Sequence, residues 1–267
     1  MKKLLTIISA AFLIIFTSCM PQGSAGEANA IIVAGSTTVT PVMRALGAAY
    51  EEISGSAVNI QELGTSAGIN ATIEGIAHVA MASRSITEAE IERGLVPTRF
   101  AMDGVVVVVH PSNTIDNLSV DQVRDIFEGT ITNWSEVGGN DATITVMSRE
   151  EGSGARSSFE SLAGIDEVAI PALIQQGTGV VISGVSSNRN AIGYVTTGVL
   201  TDALKALSID GVAFSEAAVI DGTYKFSNAF FVALPQNPTA QARSFVDFLI
   251  SPAGQSIISQ AGYVSVY

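Results

Sequence analysis

Ser148-Arg149-Glu150-Glu151-Gly152-Ser153-Gly154-Ala155-Arg156-Ser157-Ser158-Phe159 is the stretch on which the fold is read, because it follows an alternating apolar run, Ile144 to Met147, and opens a helical run, Arg156 to Leu162. A strand that turns through glycines and hydroxyls into a helix leaves free backbone N–H groups at the positive end of the helix dipole. Together these hold oxyanions. Two further junctions have the same form. Ile31-Ile32-Val33-Ala34 runs into Gly35-Ser36-Thr37-Thr38 ahead of a helical run from Pro41 to Glu52, and Val58-Asn59-Ile60 leads through Gly64-Thr65-Ser66-Ala67-Gly68 to a helical run from Ile69. Three such turns in one chain point to one shared anion.

Working outward, short apolar runs at Ile31 to Ala34, Val58 to Glu62, His78 to Ala82, Val105 to His110, Thr143 to Met147, Ala191 to Val195 and Ala229 to Leu234 read as strands. Helical patterns lie between them at Pro41 to Ser54, Ile69 to Gly75, Thr87 to Arg93, Val120 to Glu128, Ser157 to Ala163, Glu167 to Gln176 and Ala240 to Ser251. This alternation predicts an α/β protein whose mostly parallel sheets are flanked by helices, with ligands at the carboxyl ends of the strands. Val105 to Val109 is continuously β-branched, as a strand buried on both faces is, and Tyr224 to Leu234 is a second long extended run. Read as the two crossings of a hinge, they divide the chain into one lobe of residues 28–105 plus 222–267 and another of residues 106–221.

The chain begins Met1-Lys2-Lys3, continues through apolar residues Leu4 to Phe16 and reaches Thr17-Ser18-Cys19, the order of a secretory signal, read here as residues 1–18. Cys19 is the single cysteine of 267 residues, so no disulfide forms within the chain. Its place after Phe16-Thr17-Ser18 resembles a bacterial lipobox, with phenylalanine where leucine is usual; the alternative is an ordinary cleaved signal. The reading is lipidation at Cys19, a flexible tether over residues 19–27, and attachment to the outer face of the cell membrane or residence in the periplasm. The formal charge is −12, and removing the signal takes away Lys2 and Lys3 but no acid. So acidic a chain disfavours nucleic acid as a partner. It also requires local donors wherever an anion binds.

Several segments resemble the phosphate-binding subunit of bacterial phosphate ABC importers, the PstS family. The most specific is Leu118-Ser119-Val120-Asp121-Gln122-Val123-Arg124-Asp125-Ile126-Phe127-Glu128-Gly129-Thr130-Ile131-Thr132-Asn133-Trp134-Ser135-Glu136-Val137-Gly138-Gly139. Asp103-Gly104-Val105, the turn Arg149 to Gly154, Ala191-Ile192-Gly193-Tyr194-Val195 and the ending from Ser251-Pro252-Ala253-Gly254-Gln255 to Gly262-Tyr263-Val264 follow it in the same order. The resemblance implies a two-lobed type II periplasmic-binding-protein fold that closes on inorganic phosphate. It further implies a monomer without cofactor, metal or catalysis that delivers its ligand to ABC permease subunits. It places phosphate contacts at Ser36, Thr37 and Thr38, at Thr65 or Ser66, and at Arg149, Glu151, Gly152, Ser153, Gly154 and Ala155. Ala155 stands where threonine is usual, so its N–H remains but a hydroxyl is lost. Ser83 and Arg84 stand where some members carry Ser-Asp, whose aspartate accepts the phosphate proton.

Each of these residues has a plainer role beside the ligand one. Ser36, Thr37, Thr38, Ser66 and Ser153 also suit N-caps, Arg149 a surface ion pair, and Arg84 a solvated face. Glu151 is a proton acceptor or the salt-bridge partner of Arg149 or Arg156. Hydrogen phosphate has an O–H donor that sulfate lacks, so a cleft carboxylate accepts from the first and repels the second. Without such a carboxylate the same loops suit sulfate, molybdate or tungstate. A remote rival is a serine hydrolase, because Gly64-Thr65-Ser66-Ala67-Gly68 has the G-x-S-x-G form. The two histidines, His78 and His110, both precede the position where that fold puts its base.

Overall fold

The computed structural model describes residues 30–168 and 172–267; the signal segment, Cys19 and the tether lie outside them. The first half runs β1 (Ile31–Gly35), α1 (Thr40–Ser54), β2 (Val58–Glu62), α2 (Thr65–Ile73), β3 (Val79–Ala82), α3 (Glu88–Glu92), β4 (Leu95–Val109), β5 (Asn117–Leu118) and α4 (Val120–Phe127). The second runs β6 (Thr145–Arg149), α5 (Gly154–Ala163), β7 (Leu173–Gln175), α6 (Thr178–Ser187), β8 (Ala191–Thr196), β9 (Lys205–Ala206), β10 (Ser208–Ile209), α7 (Glu216–Ile220), β11 (Ser227–Pro235), α8 (Ala240–Leu249) and α9 (Pro252–Gln260).

One sheet passes through the molecule in the order β2-β1-β3-β11-β4-β8-β6-β7, with β9 also on β4. β1 lies parallel to β2 and β3, and β6 parallel to β7 and β8. Between these parallel sets stand β11 and β4, which pair antiparallel. β4 is the shared strand. Its first part, through Gly104, pairs with β11, and Val105 to Val109 pair with β8. All five valines are buried, which is why this run carries no polar alternation.

Two cores flank the crossing. In one, α1 lays Val42, Met43, Leu46 and Tyr50 against β1, β3 and α8, a stripe at the spacing of one helix face. Tyr50 meets the edge of Phe245 at 5.2 Å. In the other, Phe159 of α5 stacks on Tyr194 of β8 at 4.0 Å and Phe127 of α4 closes on both. Each fully buried large apolar side chain contributes about 1.5–3 kcal/mol. Within the signature segment, Ser119 and Gln122 form a capping box at the start of α4. Trp134 is buried and donates its indole N–H to the Asn190 carbonyl at 3.1 Å, an anchor for the loop.

One expectation about elements changes. Where a helix was expected over Glu167 to Gln176, residues 173–175 form β7, which pairs with β6. The helix follows instead, as α6, although its sequence is rich in Gly, Val and Ser. Tertiary packing overrides this weak propensity: Gly184 lies against Met147, and Val181 and Val185 lie against Gly193 of β8.

Candidate functional site

The carboxyl ends of the parallel strands turn toward the middle of the molecule, and four helices begin there: α1, α2, α5 and α6. The turns leave no room for side chains. A Cβ on Gly68 would collide with Gly35 and Ala34, so α2 can rest directly on β1, and Gly35 itself has a φ of +148°. Gly154, the first residue of α5, faces Thr65 and Ser83 so closely that a Cβ there would come within 2.7 Å of Ser83 Oγ.

The structure brings Ser36, Thr37, Thr38, Thr65, Ser66, Ser83, Arg149, Gly152 and Gly154 into one junction between the two cores. Ser36 Oγ donates to Ser83 Oγ at 2.9 Å and receives the Thr38 N–H at 3.2 Å. The Ser66 N–H reaches across to the Gly152 carbonyl at 3.1 Å. Ser36, Thr38, Thr65, Ser83 and Ser153 are all buried. Among the described residues, the N–H groups of Thr37, Thr65, Gly154 and Ala155 have no hydrogen-bond partner in the protein. Ser153 caps α5 by accepting the Arg156 N–H at 3.3 Å, so its N-cap role is real. Ala155 is buried beside it.

Arg149 ends β6 with its guanidinium 3% exposed. Nε and Nη2 fork onto the Glu150 carboxylate at 2.8 and 2.7 Å, Nη1 donates to Thr178 Oγ1 at 2.9 Å, and Nη2 to Thr37 Oγ1 at 3.1 Å. It therefore ties the start of α1 to the start of α6. Its position is set from the second core: the Tyr194 hydroxyl accepts the Arg149 N–H at 3.1 Å and bonds Ser148 Oγ at the same distance. Burial pushes the Tyr194 phenol up to about 12. Burial also raises Glu150, but the Arg149 guanidinium and the Gly177 N–H outweigh it and hold that carboxyl below its usual value.

Three residue assignments are corrected. Glu151 is exposed and pairs with neither arginine, because the chain turns at Gly152 (φ +81°) and points it outward. Arg149 takes Glu150, and Arg156 takes Glu160 at 2.6 Å. Arg84 is no solvated surface charge: it forks onto Glu90 at 2.8 and 2.9 Å, and its Nη2 lies 3.3 Å from Ser66 Oγ. It opens on a groove of about 300 Å³ shared with Ser85, Ser157 and Ser158. The third concerns the residues the reading missed, Glu150, Gly177 and Thr178. Thr178 Oγ1 lies 3.1 Å from Thr38 Oγ1 and 2.9 Å from Arg149 Nη1. Gln175-Gln176-Gly177-Thr178 repeats the pattern of a strand, a glycine, a hydroxyl and a helix, and that pattern was the available signal.

A model of the PBP superfamily domain matches residues 21–253. A crystal structure from Clostridium perfringens, described as a phosphate ABC transporter substrate-binding protein with bound phosphate, is 36% identical with a TM-score of 0.87, covering 90% of this chain and 100% of that one. The chain belongs to the PstS family of that superfamily. An ABC-type phosphate transport receptor from Vibrio cholerae is 33% identical with a TM-score of 0.75, over 89% of this chain and 100% of that one. The phosphate-binding protein PstS of Borreliella burgdorferi is 27% identical over 281 residues, 100% of this chain and 99% of the relative. The fold is accordingly the two-lobed type II binding-protein fold, and PstS relatives are named as binding proteins. Ser66 sits at a junction of this PstS fold, with Arg84 rather than a histidine against its hydroxyl. His78 Nδ1 receives the Ile32 N–H at 2.9 Å, and His110 bonds Ser112.

Proposed function

We propose that the chain captures inorganic phosphate between its lobes, without chemical change, and passes it to the permease of an ABC transporter. The observation that carries this reading is the meeting of four helix starts, with unpartnered amides of Thr37, Thr65, Gly154 and Ala155, around the buried Arg149. Since the Arg149 charge is matched by Glu150, much of the attraction comes from oriented N–H and hydroxyl dipoles, which need no reorganisation in a buried site. Thr38, Thr65, Ser83, Ser153 and Thr178 supply hydroxyls that donate to phosphate oxygens, Ser36 orients the Ser83 hydroxyl by donating to it, and Arg149 supplies the cation. Glu150, between the starts of α2 and α6, takes the part first given to Glu151: it accepts the proton of hydrogen phosphate and repels sulfate.

The lobes expected at residues 28–105 with 222–267 and at residues 106–221 are redrawn in this reading as residues 30–104 with 227–267 and residues 105–226, because Val105, Tyr224 and Phe226 pack in the second core. Closure is a population shift: the anion stabilises the closed form by contacts from both lobes that an open form lacks. The protein acts as a monomer, held at the outer face of the membrane by lipid on Cys19. One acyl chain binds membranes only marginally, so stable anchoring takes more than one.

Thermal unfolding with phosphate, sulfate and molybdate, from about pH 5 to about pH 8, tests the assignment, since a ligand that binds the native state stabilises it by an amount that rises with the logarithm of its concentration over Kd. Phosphate raises the midpoint and the others do not; an equal response to sulfate defeats it. For the anchor, Cys19→Ser moves the protein to the soluble fraction, and retention in membranes counts against lipidation.

A further inference from the structure

Asp103 stands in β4 one residue before the strand leaves β11. Gly104 is the last residue paired with β11, opposite Ser227, and Val105 is the first paired with β8, opposite Thr196. The side chain is completely buried. Oδ1 accepts the Gly104 N–H at 2.8 Å and the Thr197 hydroxyl. Oδ2 has no partner, and neither have the buried Thr196 Oγ1 and Tyr263 hydroxyl.

These groups come from both sides of the hinge. Tyr263 packs in the core of the first lobe, and its ring lies so close to Gly198 that a Cβ there would strike it. Thr196, Thr197 and Gly198 follow β8 of the second lobe. Asp103 thus bonds one lobe to the other at the point where the sheet must flex, with one oxygen unsatisfied. A buried carboxylate in that condition is costly, and protonation removes the cost. Burial pushes the carboxyl up to about 7, although the Thr197 hydroxyl and the Gly104 N–H, which bond Oδ1, pull the other way. The titratable groups facing it are the Tyr224 and Tyr263 phenols, both raised by burial and by Asp103 itself. β8 and the turn after it contribute the hydroxyls of Thr196 and Thr197, and no charged side chain is among the groups acting on it.

We propose that Asp103 is a hinge latch, a positioning residue that takes up a proton from solvent when the lobes close and returns it when they open. In the closed arrangement described here, Oδ2, Thr196 Oγ1 and the Tyr263 hydroxyl are all buried without partners, surroundings that suit a neutral carboxyl better than an anion. Opening flexes the strand at Gly104 and admits water, which lets the carboxyl ionise. The sign follows: a group with a higher pKa in the closed state favours closure fully at low pH, and that contribution is lost as pH rises through about 7. Phosphate is therefore released more readily on the alkaline side. The inference rests on the phosphate reading above.

The test is calorimetric phosphate affinity from about pH 6 to about pH 8 for the parent and for Asp103→Asn, which keeps the shape and stays neutral. Phosphate itself titrates in this range, identically for both, so the ratio of dissociation constants isolates Asp103. The parent loses affinity relative to the variant by about tenfold across the range, the factor expected for one coupled proton. Thr197→Val, which removes a donor that favours the charged form, moves the change to higher pH. In ligand-free protein, small-angle scattering shows the parent becoming more compact on acidification and Asp103→Asn not responding. A ratio flat within twofold, with scattering that does not distinguish the two, overturns the latch. Absence of phosphate binding by the parent at every pH overturns the phosphate reading instead.

Discussion

Removing the Arg149 guanidinium separates the ligand's contribution from the protein's own more cleanly than any other change. Arg149→Ala deletes donors to Thr37 and Thr178, which join the lobes, and strands Glu150 beside the incoming anion with no counter-charge. A hydrogen bond to a charged group is worth about 1.5–3 kcal/mol, and breaking one partner of a buried pair costs about 2–5 kcal/mol. A loss of about 3 kcal/mol is a fall of about 150-fold in phosphate affinity, measured by isothermal titration calorimetry. Arg149→Lys separates charge from geometry. An ammonium lacks the fork that engages both Glu150 oxygens, so it recovers part of the affinity, within about tenfold to a hundredfold of the parent. Circular dichroism confirms that both variants fold. Arg149→Ala binding phosphate within about threefold of the parent refutes the reasoning, since the guanidinium would then be a structural tie and no more.

Gly154→Ala adds a Cβ directed at Thr65 and Ser83 across the closed junction; overpacking of this kind costs about 1–3 kcal/mol. Because the clash exists when the lobes meet, phosphate affinity drops about tenfold or more while the ligand-free thermal midpoint barely moves, as calorimetry and thermal scans report. Tyr194→Phe leaves the Arg149 N–H and Ser148 hydroxyl without their buried partner, costing about 1–3 kcal/mol of stability by denaturant titration.

The strands were legible because burial on both faces writes itself as unbroken apolar runs, as in Val105 to Val109. The three junctions were legible because close approach of backbone demands glycine, as at Gly35 and Gly154. What escaped depended on tertiary context. α6 carries two glycines and several β-branched residues and is helical because it packs on β6 and β8. Which of two adjacent glutamates meets Arg149 is decided by the turn at Gly152, and spacing along the chain is silent on that. Arg84 reads from sequence as a ligand contact or a solvated charge, and its pairing with Glu90 was missed although Glu90 sits in the readable capping box Thr87 to Glu90.

The pairing of Arg149 with Glu150 bears on speed as well as on affinity. An incoming anion meets, at long range, the field of a chain whose formal charge is −12, with the buried cation already masked by its neighbour. The amide and hydroxyl dipoles act only at contact. Encounter is therefore slowed by repulsion that dissolved salt screens, whereas escape is governed by short-range bonds that salt scarcely touches. Ionic strength becomes a control on how fast the protein loads, with little say over how long it holds on.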